Sequence, residues 1–416
     1  MLQFGDDIYI ISGMLQSELL IKTKKENPKD EVSKNARFLM RAGFIDKLHA
    51  GVYTFLPLGL KVLKKIENII RREMDRLGGQ EVLMPALQPK EIWERTGRWN
   101  AMDNLYKLTD KDKREFALGP THEEVVVPLA KEHLLSYKDL PKALYQFQTK
   151  FRMEERSKSG LLRGREFLMK DMYSFHADQD DLENYYAMVK EAYAKIFKEC
   201  GIGEMTHLTL ASGGSFSQYS HEFQTLTSAG EDTIYICSEC GIAINKEIFK
   251  DGQDCPACEE IPAWAEEKAI EVGNIFDLKS RFSDAFDFTF KDEKGSGRPV
   301  LMACFGLGLT RLMGTVVEVL GDDKGLVWPD SIAPFSVHLI SLGENESAAK
   351  HYAKMKAEGV EVLYDDRDLS AGEKFAEADL LGIPKRLVIS SKGIASGQIE
   401  WKDRRTGEMT YARATS

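Results

Sequence analysis

The stretch FRMEERSKSGLLRGREF, residues 151–167, concentrates charged side chains that could bind an anion. It holds four arginines, one lysine and three glutamates. Ser159-Gly160 interrupts it, which predicts a strand, a loop and a second strand. A guanidinium grips two phosphate oxygens at once through charge-assisted hydrogen bonds. Arg152 on the first strand and either Arg163 or Arg165 near the second therefore predict a phosphate site, although a surface hairpin with exposed ion pairs would explain the same composition.

A second arginine follows a glycine-containing strand in VLMACFGLGLTRLMGTVVE, residues 300–318. Gly306 and Gly308 would let a ligand lie against the backbone, and Arg311 would emerge beside it from the first turn of a helix. A core helix that begins with a solvated arginine fits this short pattern equally well.

Four of the six cysteines form a CxxC-x14-CxxC array, Cys237, Cys240, Cys255 and Cys258. Four thiolates at this spacing suit a closed, structural tetrahedral Zn²⁺ site. In a small insertion, the metal would supply folding energy. A metal-free loop is the alternative.

Composition narrows the class of protein. The chain has 416 residues and a net charge of −10, so nucleic acid must be bound by local patches, and DNA is not expected as a partner. No apolar run is as long as a membrane span, and the N-terminus lacks a signal-peptide pattern. We therefore expect a cytoplasmic protein without membrane association.

The surrounding elements predict an α+β fold in two parts. Helical spacing over 60–77 precedes a strand, QEVLMPAL, that Pro85 confines to an edge or an interface. A second long helix is expected to begin at Asp180 or Asp181. Irregular strand order favours an antiparallel sheet with flanking helices over 14–330, whereas strict alternation favours a small α/β domain over 334–416.

Taken together, these segments resemble motifs 1, 2 and 3 of class II aminoacyl-tRNA synthetases. With GPTHEEVV (119–126) and ACFGLGLTR (303–311), the chain resembles bacterial-type prolyl-tRNA synthetases from about residue 14 to 416. The resemblance implies a class II catalytic domain over 14–330, an anticodon-binding domain over 334–416, and a homodimer with Pro85 at the subunit boundary. It implies L-proline, ATP with Mg²⁺, and tRNA(Pro) as substrates and partners.

The resemblance also implies roles for individual residues. Arg152 and Arg311 would be catalytic. The proline pocket would contain Thr121, Glu123, Arg152, Asn274 (where the family commonly has histidine), Cys304 and His221. ATP would contact Arg152, Glu154, Arg163, Phe167, Gln224 and Arg311. The tRNA would contact Arg156, Asp366 and Arg367, with Lys374 near the anticodon bases.

Simpler structural roles fit some of these residues. A polar helix start capped by Thr121 would explain Thr121 and Glu123, and Cys304 suits a buried structural thiol. The motif 2 loop departs from the family at residues 156–160, which leaves the acceptor-end contacts open.

The implied reaction needs no protein nucleophile, because the carboxylate of proline attacks the α-phosphate of ATP and the arginines stabilise charge. Residues 235–270 stand where many bacterial relatives carry a large editing domain. That length is too short for such a domain, so we expect no editing of alanyl-tRNA in cis.

Three other functions fit part of the pattern. A class II synthetase for threonine, serine or glycine would differ in amino-acid-dependent pyrophosphate exchange. A non-catalytic synthetase-like tRNA-binding protein would be expected to lack the motif arginines. A general ATPase would normally show a GxxxxGK[ST] loop, which the sequence does not contain.

Overall fold

The computed structural model describes residues 13–20, 22–29, 31–155, 157, 159–214, 219–258 and 263–413. The strands of these residues are β1 (Gly13–Leu15), β2 (Ile45–His49), β3 (Val52–Phe55), β4 (Gln80–Glu81), β5 (Leu87–Pro89), β6 (Tyr106–Thr109), β7 (Glu115–Leu118), β8 (Lys142–Phe151), β9 (Glu166–His176), β10 (Thr206–Ser212), β11 (Tyr219–Leu226), β12 (Asp232–Cys237), β13 (Ala243–Asn245), β14 (Trp264–Lys279), β15 (Thr289–Lys291), β16 (Gly297–Pro299), β17 (Leu301–Gly308), β18 (Val337–Leu342), β19 (Val362–Asp365), β20 (Lys385–Ser390), β21 (Gln398–Asp403) and β22 (Met409–Arg413).

The α-helices are α1 (Lys34–Arg41), α2 (Pro57–Arg76), α3 (Lys90–Arg95), α4 (Arg98–Ala101), α5 (Glu123–His133), α6 (Gln179–Glu199), α7 (Arg281–Ala285), α8 (Leu309–Leu320), α9 (Asn345–Ala357), α10 (Ala371–Leu381) and α11 (Ser391–Ser396). In the described residues, no helix has the length and apolar character needed to cross a bilayer.

A nine-stranded sheet forms the centre of the larger part, in the order β11-β10-β13-β12-β14-β17-β9-β8-β4. Its long central ladders, β8–β9, β9–β17 and β17–β14, are antiparallel. β11 also pairs with β14, so the strands from β10 to β14 form a closed ring of pairings. The sheet places the ends of β8 and β17, which carry the predicted phosphate-binding arginines, two strands apart.

Helices cover one face of this sheet and bury its core. The apolar stripe of α2, including Val62, Ile66 and Ile70, is buried together with residues of α6 and α8. Pro57 begins α2, where its missing N–H costs nothing. The hydrophobic periodicity over 60–77 therefore predicted this helix correctly.

The smaller part is a six-stranded sheet in the order β1-β19-β18-β20-β21-β22. The predicted alternation of strands and helices after residue 334 is confirmed from β18 to β20. The sequence did not predict β1, which pairs in parallel with β19 from more than 300 residues away.

Two local predictions need correction. QEVLMPAL is not a continuous strand: β4 ends at Glu81, and the Met84 N–H donates to the Gln146 side chain at 2.9 Å. Helix α6 is capped by Asp178 rather than Asp180 or Asp181, because the Asp178 carboxylate accepts the Asp181 N–H at 3.0 Å.

Gly59, in the first turn of α2, lies too close to a neighbouring backbone for a side chain. A Cβ there would lie 2.1 Å from the Phe44 carbonyl oxygen. We expect Gly59→Ala to lower the free energy of unfolding by about 1–3 kcal/mol, measured by urea denaturation. Gly372→Ala is the matched control, in the first turn of α10 with nothing within 4 Å of the new Cβ. Equal stability of the two variants would contradict this packing.

Candidate active site

Six of the predicted site residues line one cleft between β8, β9, β14 and α8. They are Arg152, Glu154, Arg163, Phe167, Asn274 and Arg311. The segment joining β8 to β9 forms one wall, and the strand-to-helix turn at Gly308 forms the other. Two arginines that are 159 positions apart therefore face the same space.

Arg152 has no carboxylate partner within salt-bridge distance among the described residues. Its Nη2 donates to the Pro120 carbonyl at 3.4 Å, while its buried Nε lacks a hydrogen-bond acceptor. The guanidinium lies 5.3 Å from the ring centre of Phe167. Burial and then the charge of Arg311 lower the pKa of Arg152. A buried cation without a counter-charge is a site for an anion.

Arg311 is held in place by acceptors from two other segments. It donates to the Leu162 carbonyl at 2.9 Å and to the Glu271 carbonyl at 2.9 Å. Its Nη1 also lies 3.3 Å from one oxygen of the Glu271 carboxylate. The other oxygen of that carboxylate accepts a hydrogen bond from Asn274 Nδ2 at 2.7 Å. Asn274 therefore orients Glu271, which in turn orients Arg311.

Arg163 lies nearer the solvent, bridging two carboxylates. It donates to Glu154 at 2.8 Å and to Glu231 at 2.5 Å. Its side chain is 41% exposed. The ion-paired hairpin that the composition also allowed is therefore present at the solvent-exposed opening of the cleft. Arg152 takes no part in these ion pairs.

The loop between β8 and β9 is anchored by Asn35 of α1, which sequence reasoning missed. Fully buried Asn35 donates to Glu318 at 2.7 Å and to the Ser159 carbonyl at 3.1 Å, and its Oδ1 accepts from the Leu161 N–H at 2.9 Å. These bonds join α1 to the loop and to α8. Nothing in the spacing of Asn35 indicated this, because all three partners are distant in sequence.

Thr121 and Glu123 lie behind Arg152, outside the lining of the cleft. The Thr121 hydroxyl donates to Glu123 at 2.5 Å, and the two residues are 8% and 1% exposed. The capping interpretation is wrong, because His122 precedes α5 and no side chain caps it. Cys304 is buried there too, and burial followed by the charge of Glu123 raises the pKa of its thiol.

Arg98 balances only one of the two carboxylates in this buried cluster, an arrangement that the sequence did not predict. It donates to both Glu124 oxygens, at 2.9 and 3.1 Å, and lies 3.5 Å from Glu123. Burial raises the pKa of Glu124, and the charge of Arg98 opposes that shift. One guanidinium against two carboxylates leaves one negative charge, on the side of Glu123.

A neutral polar network supports the pocket from below. Lys150 pairs with Asp171 at 2.7 Å and lies 2.6 Å from Nδ1 of His122. Burial lowers the pKa of His122 to about 4, so the ring is neutral and accepts from Lys150. Asp171 also accepts from Tyr173, whose hydroxyl accepts the His122 N–H at 3.0 Å.

Two further predicted site residues, His221 and Gln224, also lie outside the cleft lining. His221 contacts the Tyr186 hydroxyl at 2.7 Å, and Gln224 is fully buried, donating to Glu222 and Asp232 at 2.9 and 2.8 Å. Burial and then the charge of Glu271 raise the pKa of Glu222 to about 8. Gln224 therefore lies among carboxyl groups adjoining Glu271.

The four cysteines of the array converge at the end of the β12–β14 ladder. Their sulfur atoms lie within 4.8 Å of one another. The distance is 3.6 Å between Cys240 and Cys255 and 3.9 Å between Cys237 and Cys258. Tetrahedral Zn–S bonds of about 2.3 Å require sulfur separations of about 3.8 Å. The geometry therefore fits a metal held by four thiolates.

The predicted anticodon-reading residues are held within the C-terminal sheet. Asp366 follows β19, and Arg367 forms ion pairs with Asp365 and Glu377, both at 2.8 Å. The prediction for Lys374 is wrong, because it is 2% exposed and donates to two backbone carbonyls. Arg156 lies outside the described residues.

Family models match most of the chain. Residues 106–320 match the tRNA synthetase class II core domain (G, H, P, S and T), and residues 336–413 match an anticodon binding domain. The chain is 33% identical over 545 residues to a proline--tRNA ligase of Sulfurihydrogenibium sp., covering 94% of this chain and 96% of the relative. It is 33% identical over 552 residues to that of Bacillus subtilis, covering 95% and 98%.

Solved structures share the fold at lower identity. A prolyl-tRNA synthetase of Giardia lamblia in complex with prolyl-adenylate has a TM-score of 0.75 and 20% identity, covering 91% of this chain and 74% of that one. A Cryptosporidium parvum prolyl-tRNA synthetase complexed with L-proline and AMP has a TM-score of 0.74 and 18% identity, covering 91% and 72%.

Proposed function

The chain belongs to the proline--tRNA ligases, a family of class II aminoacyl-tRNA synthetases, and we propose that it joins L-proline to tRNA(Pro) through prolyl-adenylate in the cytoplasm. The unpaired guanidinium of Arg152 carries the assignment of the site. It adjoins the buried Thr121–Glu123 pair on one side and the cleft with Arg311 on the other. One cation can thus bind the reacting carboxylate and the α-phosphate together.

The pocket behind Arg152 would hold the imino acid. The ammonium of proline would pair with Glu123 and donate to the Thr121 hydroxyl. Glu124 forms the shorter ion pair with Arg98, so Glu123 would be the counter-charge that the buried ammonium of proline requires. Cys304 would pack as part of the buried wall. Because His221 is hydrogen-bonded to Tyr186, we assign His221 a structural role outside direct contact with proline.

The cleft would hold ATP with its phosphates toward Arg152 and Arg311. Phe167 would stack on adenine, with Glu154 and Arg163 at the mouth. Glu271 lines the cleft, and carboxylate oxygen suits Mg²⁺. Bound there, Mg²⁺ would neutralise phosphate charge. Gln224 would act only through the carboxyl groups that adjoin Glu271.

Activation then follows from positioning. A carboxylate oxygen of proline forms a bond to the α-phosphorus as the bond to pyrophosphate breaks. The 3′-terminal hydroxyl of tRNA next attacks the prolyl carbonyl, losing its proton as AMP leaves. Arginines fixed before the reaction stabilise charge at phosphorus without reorganising.

ATP–pyrophosphate exchange tests the proposal. We expect exchange with proline to exceed exchange with threonine, serine or glycine. Glu123→Gln should lower kcat/KM for proline more than about a hundredfold, because the ammonium loses its buried counter-charge. Glu132→Gln, exposed on the same helix, is the matched control and should be unchanged. Exchange that does not depend on proline would refute the assignment.

We further propose that the chain lacks editing in cis. Its alignments with relatives run over 545 residues or more, although the chain has 416, so those relatives carry over one hundred residues without a counterpart here. The described residues in this part of the chain, 232–258 and 263–279, instead include β12, β13 and β14 of the main sheet. A proline pocket excludes alanine poorly, since a missing methylene costs only about 1–3 kcal/mol.

We expect alanyl-tRNA(Pro) to hydrolyse at its spontaneous rate in the presence of the protein. The measurement is release of labelled alanine from preformed alanyl-tRNA, with prolyl-tRNA as the control. Enzyme-dependent loss of the alanyl ester that exceeds loss of the prolyl ester would show an editing site.

We propose that the four cysteines bind structural Zn²⁺. Beyond the sulfur geometry, the Ala257 N–H donates to the Cys255 sulfur at 3.5 Å, as backbone amides do around metal-bound thiolates. Phe249 stacks on Tyr235 at 3.8 Å and contacts Trp264, forming only a small apolar core. Metal would therefore supply much of the stability of this insertion.

Elemental analysis should find one zinc per chain. Cys258→Ser should lose the metal and lower the melting temperature, because three thiolates leave the site open. Ser238→Ala, between Cys237 and Cys240 in the first CxxC pair, should keep it. Protein purified from zinc-containing medium with well under one zinc per chain would contradict the site.

We propose a homodimer formed around the edge strand β4. Leu83, which follows β4, is 76% exposed, and Leu87 of β5 and Leu135 after α5 are 52% and 60% exposed. Leu129 and Val82 line an adjacent depression. Such a cluster of exposed apolar side chains is typical of an interface, and a two-fold axis would pair it with itself.

Leu83→Asp should convert the dimer to a monomer of 47.0 kDa, measured by sedimentation equilibrium. The buried aspartate would meet its own copy across the two-fold axis. Ile394→Asp, an exposed apolar position on α11, should leave the dimer intact. A monomeric wild-type chain would refute this proposal.

A further inference from the structure

The segment Gly13–Glu18, here called the N-terminal segment, is built into the C-terminal domain. Its strand β1 pairs with β19 from Gly13 opposite Val362 to Leu15 opposite Tyr364. Leu15 packs against the core of that sheet. A Cβ at Gly13 would lie 2.8 Å from the ring of Tyr352, so the segment and α9 are in close contact.

The residues after β1 contact the side chains to which we assign anticodon reading. The Ser17 N–H donates to Asp366 Oδ1 at 3.0 Å, and the Ser17 hydroxyl donates to Oδ2 at 2.6 Å. Gln16 donates to Glu377 at 3.3 Å, and the same Glu377 oxygen accepts from Arg367 at 2.8 Å.

Gln16 is also held by a hydrogen bond from a buried side chain of the sheet. It is 6% exposed, and its Oε1 accepts from Nε2 of buried His338 at 2.7 Å. Segment and sheet are therefore joined by two charge-assisted bonds from Ser17, one bond to Glu377 and one from His338. This is more than a strand covering a sheet edge requires.

We propose that the N-terminal segment is a positioning element for tRNA recognition, with Ser17 acting through Asp366 and Gln16 through Glu377 on Arg367. This rests on the proposed function of the C-terminal domain. An ionised carboxylate has about four lone-pair sites. Ser17 occupies one on each oxygen, which fixes the carboxylate plane and leaves one on each for N–H donors of a guanine.

Fixing this carboxylate before binding saves the cost of ordering it in the complex. Arg367 is likewise held by two carboxylates through its Nε and Nη2, whereas its Nη1 makes no hydrogen bond to the described residues. The segment thus presents an acceptor and a donor at neighbouring positions, as recognition of adjacent guanines requires.

Aminoacylation of a tRNA(Pro) transcript with a GG-containing anticodon tests the role of Ser17. Ser17→Ala should raise KM for tRNA about 3- to 10-fold, since a hydrogen bond to a charged group is lost. Its kcat and the proline-dependent pyrophosphate exchange should not change. Ser17→Thr should restore KM. Ser391→Ala, which removes an exposed serine bond to Glu344, is the matched control.

Further variants separate failure of this inference from failure of the proposed function. Asp366→Ala should raise KM, and Ser17→Ala should add nothing to it if Ser17 acts through Asp366. For a transcript with both guanines replaced by adenine, wild type and Ser17→Ala should have equal KM. An Asp366→Ala variant with unchanged KM would refute anticodon reading by this face. A large Asp366 effect with an unchanged or lowered KM for Ser17→Ala would refute only the positioning role.

Discussion

The candidate site depends on holding the half-buried Arg152 guanidinium without a carboxylate partner. Desolvating a cation is costly unless an anion accompanies it, so the surroundings must be rigid enough to prevent Arg152 from turning to Glu154 or to solvent. Phe167 lies against one side of the guanidinium, and the Pro120 carbonyl accepts one bond. Glu154 is occupied by Arg163. The unmet charge is then available for a substrate.

The ionic side chains around Arg152 form separate sets, and each set has its own net charge. Lys150 with Asp171 is neutral, and Arg311 with Glu271 is neutral. The Arg98 set, with its two glutamates, retains one negative charge. Under the proposed function, a zwitterionic amino acid would find a negative site for its ammonium and a positive site for its carboxylate, because these sets do not neutralise each other.

Local sequence predicted local elements well. The period of α2, the strand-to-helix turn before Arg311 and the alternation after residue 334 all depend on neighbours in the chain, and the structure contains each. Failures occurred where a distant group decided the outcome. The side chain of Gln146 accepts the Met84 N–H, which a longer β4 would have donated to a neighbouring strand. Backbone carbonyls from two distant segments accept hydrogen bonds from the buried Lys374 ammonium.

The sequence by itself determined the residue types of the candidate site: arginines that predict a phosphate site, an acid and a hydroxyl that the family resemblance assigns to an ammonium, and four thiols at metal spacing. Only the tertiary structure decided which charges remain unpaired. Arg98 lies closer to Glu124 than to Glu123, Asn35 anchors a loop over 120 residues away, and Ser17 donates to Asp366. The reason is physical: net charge and burial depend on all groups within a few ångströms, and sequence spacing does not specify neighbours from other segments.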